Sequence, residues 1–176
     1  RVTEELALLI SGGCGGCALS LLGLQPDDLQ SWSKLHQMDW QSHPILTHNS
    51  PSQTISQLQV ILSGDQPLDV LLVEGSVLQG PEGSGLFHVM SGINRPMRDV
   101  IHALAQQANY VVAVGSCSAF GGITGAGDNF TESTGLHHDC GDVPALLSKD
   151  FRSRAGLPFI NIGGCPVHQQ WVTEGL

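Results

Sequence analysis

Leu68-Asp69-Val70-Leu71-Leu72-Val73 is a nearly unbroken apolar run, closed by Glu74-Gly75-Ser76. A run this short without polar alternation is the pattern of a parallel strand covered on both faces. Tyr110-Val111-Val112-Ala113-Val114 repeats it and is again closed by a glycine, Gly115. Between the two, Pro96 to Ala108 carries Val100, Ile101, Leu104 and Ala108 on one side, which predicts a helix. Upstream, Ser52 to Leu62 places Ile55, Leu58, Ile61 and Leu62 at helical spacing, with Ser50-Pro51 before it and Gly64-Asp65 after. Residues 4–11 read as the first strand, and a helical pattern follows from Cys17 through Leu22. Gln25-Pro26-Asp27-Asp28 reads as a turn with an N-cap signal for a helix near 27–36, and Met38 to Ser42 as a short strand. Gly75 to Gly85 is a Gly/Pro-rich loop, and Gly121 to Asp142 a long one, a length that usually marks function. Val143 to Phe151 is expected to be a short helix, Pro158 to Ile162 the last strand, and Val167 to Leu176 the start of a helix. Strands alternating with helices predict an α/β fold, a doubly wound parallel sheet with helices on both faces.

The five cysteines sharpen this reading. Three segments place thiols where strand-like runs end in glycine: Ser11-Gly12-Gly13-Cys14-Gly15-Gly16-Cys17, Val114-Gly115-Ser116-Cys117 and Ile162-Gly163-Gly164-Cys165-Pro166. Ligands of doubly wound sheets bind beyond the carboxyl ends of the strands, and all three segments, with Glu74, fall on that edge. A redox dithiol at Cys14 and Cys17 leaves Cys117 and Cys165 without a role. A structural zinc site generally uses two paired knuckles. Here one pair is joined by two single thiols, 100 and 48 residues further along. That pattern suits an iron–sulfur cluster, which takes ligands from several directions. Cys14, Cys17, Cys117 and Cys165 are the expected ligands. Cys140, in His137-His138-Asp139-Cys140-Gly141, reads as a spare thiol.

Composition sets outer bounds. At 176 residues the chain makes about one domain with a substantial core. A net charge of −9 with seven Lys and Arg lacks the basic footprint of nucleic-acid binding. No apolar run approaches the roughly 20 residues that span a membrane. The low charge density predicts that another subunit covers part of the surface. The chain opens without an initiator Met or a signal-peptide pattern and closes inside a helix-like start. Residues beyond both ends, with any localisation signal, are therefore expected. An odd cysteine count in a chain of this size argues against a secreted disulfide framework.

At its motifs the chain resembles the small subunit of [NiFe]-hydrogenases. The matching pieces are Ser11 to Cys17, Val73-Glu74-Gly75-Ser76, Val114-Gly115-Ser116-Cys117-Ser118-Ala119-Phe120-Gly121-Gly122, and Asn161-Ile162-Gly163-Gly164-Cys165-Pro166-Val167-His168. They occur in the family's order across nearly the whole chain. The resemblance implies that residues 1–176 form a flavodoxin-like domain holding the proximal [4Fe-4S] cluster through the four cysteines. It also implies a partner large subunit that carries the Ni–Fe centre and splits hydrogen. The chain itself would pass electrons on to an accepting subunit or redox protein in a hetero-oligomer.

The wording of the first motif, with Glu74 to His88, is most similar to cytoplasmic uptake and hydrogen-sensing types, with any membrane association supplied by partners. Glycines stand where periplasmic members have Glu and Thr, so no proton-relay role carries over to those positions. Most members continue into a smaller C-terminal domain with further clusters that these residues do not include. The expectation is either that it lies beyond them or that this is a short type handing electrons directly to another subunit. Two functions share this chemistry: an electron-transfer subunit of a hydrogenase, and the small subunit of a regulatory sensor that signals to a kinase. The related cluster subunit of respiratory complex I uses adjacent cysteines at its first motif, unlike Cys14 and Cys17, and a free-standing zinc protein is a distant alternative.

Several other residues have two readings. Glu74 ends a buried strand, and either organises an interface or hydrogen-bond network or serves as a cap or turn acid. His168 follows Cys165-Pro166-Val167 and either lies within reach of the cluster or partner or is an ordinary surface histidine. His88 reads as an interface residue, Arg95-Pro96-Met97-Arg98 as a solvated or partner-facing helix start, and Trp32, Trp40 and Trp171 as core or interface anchors. The glycines around Cys14 resemble a phosphate-binding turn, but neither a P-loop nor a dinucleotide fingerprint is present. Flavin and nucleotide binding are therefore disfavoured.

Overall fold

A computed structural model describes residues 3–25, 28–43 and 49–176. The expected turn at Pro26-Asp27 lies outside the described residues. The strands are β1 (Glu4–Ile10), β2 (Met38–Ser42), β3 (Val70–Glu74), β4 (Val77–Leu78), β5 (Val89–Met90), β6 (Arg95–Pro96), β7 (Tyr110–Val114), β8 (Ser133–Thr134) and β9 (Ile160–Ile162). The helices are α1 (Gly16–Leu22), α2 (Leu29–Leu35), α3 (Pro51–Ser63), α4 (Met97–Gln107), α5 (Ser116–Phe120) and α6 (Gln169–Gly175).

Five strands form one sheet in the order β2-β1-β3-β7-β9, and every pair in it is parallel. Counting only these five, the order is 2-1-3-4-5, the flavodoxin-like arrangement, whose switch point lies between β1 and β3. Alternation along each strand divides the core in two. Ala7, Leu9, Leu71, Val73, Val111 and Ala113 pack with Leu58 and Ile61 of α3 and Val100, Ile101 and Leu104 of α4. Leu6, Leu8, Val70, Leu72, Val112 and Val114 pack on the other side with Ala18 and Leu21 of α1, Leu29 of α2 and Val172 of α6. The central strands are thus buried on both faces, as their unbroken apolar runs require.

Local signals fix the helix starts. Ser50 and Gln53 make a reciprocal capping box at α3, with Pro51 opening the helix. The Asp28 carboxylate accepts from Ser31 N–H at 2.8 Å and caps α2.

The expected helix from Val143 to Phe151 is not formed; the segment is a series of turns with a bridge between Cys140 and Val143. Its polar groups have partners elsewhere. Ala145 N–H donates to the Asp139 carboxylate at 2.8 Å, Pro144 C=O accepts from the Gln79 side chain at 2.5 Å, and Leu147 N–H donates to Leu136 C=O at 2.8 Å. With these groups committed to tertiary bonds, the i to i−4 ladder has nothing to build on. The long loop from Gly121 is also partly structured. It contains a 3₁₀ turn at Ile123–Gly125, and β8 pairs antiparallel with β4.

Candidate metal centre

The three cysteine segments leave β1, β7 and β9 at their carboxyl ends, and Glu74 closes β3 between them. In register, Glu74 lies opposite both Ile10 of β1 and Val114 of β7. Backbone bonds then tie the loops together. Ser11 N–H donates to Glu74 C=O at 2.8 Å, while Gly12 and Ser76 exchange bonds at 2.8 and 3.0 Å. On the other side, Gly115 N–H reaches Ile162 C=O at 2.7 Å and Ser116 N–H reaches Gly164 C=O at 2.8 Å. The Ser116 hydroxyl accepts from Gly164 N–H at 3.0 Å.

Cys17 lies in the first turn of α1 and is buried, Cys117 in the first turn of α5 is half-buried, and Cys14 and Cys165 are exposed. Val167 N–H donates to the Cys17 sulfur at 3.5 Å, and Gly16 N–H to the Cys14 sulfur at 3.4 Å. The four thiols form a connected set. Cys17 lies within electrostatic range of Cys14 and Cys117, and Cys117 within range of Cys165 and Cys14. Burial pushes the Cys17 thiol up to about 11; the Val167 N–H bond opposes this, and the charges of Glu74, Cys14 and Cys117 add to it. Burial likewise raises Cys117, with the Cys165 charge next in weight.

The backbone around the sulfurs is cut to fit them. A Cβ on Gly115 would stand 2.5 Å from the Cys17 sulfur, and one on Gly122 2.5 Å from the Cys117 sulfur. Both glycines also have positive φ, 87° and 60°. Four thiols from three loops, with glycine where any side chain would strike sulfur, are a donor set suited to an iron–sulfur group. Among the described residues, no group of three or more His, Cys, Asp or Glu closes tightly enough for a single metal ion.

Cys140 stands apart from the set. Its sulfur lies 3.4 Å from Phe120 C=O, and its electrostatic neighbour is Asp139 rather than another cysteine. His168 is exposed and caps α6, its Nδ1 accepting from Gln170 N–H at 3.3 Å. Trp32 and Trp40 pack against the α1 side of the core, whereas Trp171 is exposed.

Glu74 is buried, at 3% exposure. Its two carboxylate oxygens accept from Cys17 N–H at 2.9 Å and Ala18 N–H at 2.8 Å. It thereby caps the start of α1. A second carboxylate, which the sequence did not single out, acts in the same way nearby. Glu132 accepts from Glu82 N–H at 2.7 Å and Gly83 N–H at 2.8 Å and pins the Gly/Pro-rich loop.

Residues 14–176, beginning at the first cysteine, match the family described as NADH ubiquinone oxidoreductase, 20 Kd subunit. The F420 non-reducing hydrogenase II small subunit of Methanosarcina mazei is 31% identical over 174 residues, covering 90% of this chain and 44% of that protein. An actinobacterial-type NiFe-hydrogenase structure from Ralstonia eutropha H16 superposes with a TM-score of 0.83 at 23% identity, over 99% of this chain and 52% of that one. At that identity the likeness is one of fold. The [NiFeSe] hydrogenase of Desulfovibrio vulgaris Hildenborough gives 0.76 at 26% identity, over 98% of this chain and 57% of that one. The chain spans about half the length of these relatives. The family description names the NADH ubiquinone oxidoreductase subunit, whereas these relatives are named as hydrogenases or their small subunits. The chain belongs to the NADH ubiquinone oxidoreductase, 20 Kd subunit family, and the resemblance to hydrogenase small subunits read from its motifs is borne out by the relatives it matches.

Proposed function

We propose that this chain is the electron-transfer small subunit of a [NiFe]-hydrogenase. In this reading residues 1–176 are its proximal-cluster domain, and Cys14, Cys17, Cys117 and Cys165 hold a [4Fe-4S] cluster. The observation that carries the reading is the delivery of these four thiols to one sheet edge by loops of β1, β7 and β9, beside Glu74. When bound, such a cluster supplies one-electron transfer at low potential. The chain's own part is to hold and shield. Cys17 anchors the inner side from a helix packed into the core, while Cys14 and Cys165 face outward. The bonds between Ser116 and Gly164 keep the Cys117 and Cys165 loops in step.

A partner large subunit carrying the Ni–Fe centre completes this reading, with an accepting subunit or redox protein beyond it. Phe120 and Ile123, at 51% and 87% exposure, offer apolar area beside the Cys165 and Cys117 loops for such a partner. A cytoplasmic setting goes with the wording of the first motif. Among the described residues, no helix is long and apolar enough to cross a membrane.

The test is anaerobic purification followed by iron and sulfide analysis, EPR on reduction, and identification of whatever chain co-purifies. Iron and sulfide in cluster stoichiometry, a low-potential signal, and a partner with two Cys-x-x-Cys pairs are expected. Colourless, iron-free protein would overturn the reading.

A further inference from the structure

Glu74 does more than cap a helix. It is the last residue of the central strand, is almost fully buried, and among the described residues no Lys or Arg pairs with it. Its carboxylate takes the N–H groups of Cys17 and Ala18, which start α1. Gly15, the residue preceding that helix, supplies no side-chain cap of its own.

Two consequences follow if sulfur and iron lie at Cys17. Hydrogen bonds from amides to the sulfurs of such a group make reduction easier; here two nearby amides are already committed to Glu74. A fixed anion in a poorly solvated setting also disfavours the arrival of an electron beside it. Both effects act in the same direction.

We infer that Glu74 is a positioning residue for the sulfur centre that also sets its reduction potential, holding Cys17 in place while its buried charge keeps the potential low. The inference rests on the cluster reading proposed above. It is distinct from that reading, because the four cysteines hold a cluster whether or not Glu74 tunes it.

The experiment compares the wild-type protein, purified anaerobically with its co-purifying chain, with Glu74→Gln and Glu74→Asp. Iron and sulfide are measured first, then the midpoint potential by EPR-monitored redox titration. Glu74→Gln removes the charge and keeps one of the two acceptors, so a potential shifted to more positive values is expected in protein that retains its iron. Glu74→Asp keeps the charge on a shorter arm, so its potential should stay closer to wild type even where iron content falls. An unchanged potential in iron-replete Glu74→Gln overturns the inference and leaves the cluster reading intact. Equal shifts in Gln and Asp also overturn it, since a purely steric cap would give that result. Wild-type protein without iron removes both readings. If Glu74→Gln does not accumulate with iron, Glu74→Asp against Glu74→Asn gives the same charge contrast with the same deciding outcome.

Discussion

Cys17 N–H donates to a carboxylate oxygen of Glu74 at 2.9 Å, joining residues 57 apart in sequence and closing the crevice between β1 and β3. Removing that acceptor strands two amide donors, those of Cys17 and Ala18, in a buried setting. Each unsatisfied buried donor costs on the order of 1–3 kcal/mol. Glu74→Ala should therefore lower unfolding free energy by roughly 3 kcal/mol, read from denaturant titration with the slope unchanged. A loss below about 1 kcal/mol would mean that water or another group replaces the carboxylate.

The five cysteines should separate cleanly by iron content. Cys117→Ala and Cys165→Ala are expected to lose or convert the cluster, because each removes one of the four proposed ligands, and these two thiols interact with each other. Cys140→Ala should keep its iron, since that thiol contacts Phe120 C=O and Asp139 instead. Iron analysis of the three purified variants decides it. Equal loss in Cys140→Ala and Cys117→Ala would show the ligand set to be wrong.

Gly115→Ala tests the fit of the backbone around sulfur. The new methyl would sit 2.5 Å from the Cys17 sulfur at a φ of 87°. Lower iron occupancy and a lower Tm are expected, with backbone strain alone costing about 1–2 kcal/mol. Gly156→Ala is the control: its φ is 77°, but nothing lies within 4 Å of the added carbon. It should show the Tm loss and keep its iron.

His43 gives the protein an acid-sensitive window. The residue is 2% exposed and set edge-on to Trp40 at 4.9 Å. Burial holds its imidazole down to about 4, against an ordinary 6.5. Between those values the unfolded chain binds the proton and the folded chain does not, so stability falls as pH drops below 6.5. Going from pH 6.5 to 5 should cost about 2 kcal/mol. His43→Phe should flatten that slope in thermal melts across the same range. An unchanged slope would assign the effect to other groups.

Glu132→Ala should loosen a loop rather than the core. The Glu82 and Gly83 amides lose their acceptor but lie at the surface, where water replaces it. Global stability should fall by about 1 kcal/mol or less, while hydrogen exchange at those two amides accelerates. Unchanged exchange would show that the bonds do not hold the loop.

The sheet was legible in the sequence because strands buried on both faces leave apolar runs that little else produces. Leu68 to Val73 and Tyr110 to Val114 are the clearest cases; the helix over Pro51–Ser63 followed from period and its flanking Ser50-Pro51 and Gly64, and that over Met97–Gln107 from period alone. Where tertiary bonds decide the backbone, reading failed. Val143 to Phe151 has helical composition, but Gln79, Leu136 and Asp139 claim its polar groups. Helix α5 was missed because five residues between glycines carry no periodicity, so Cys117 read as a turn residue when it opens a helix. That the cysteine segments follow strand ends was legible from the sequence alone. The carboxylates could not be resolved the same way, since the partners of Glu74 and Glu132 lie about fifty residues away or more.

The last of the four thiols follows β9, a three-residue strand at the rim of the sheet that is bonded on one side only, to β7. A cluster spanning Cys14 and Cys165 would clasp two segments 151 residues apart across that weak seam. Loading could then begin only once nearly all of these residues had left the ribosome, and oxidative loss of iron would unfasten the margin before it disturbed the centre.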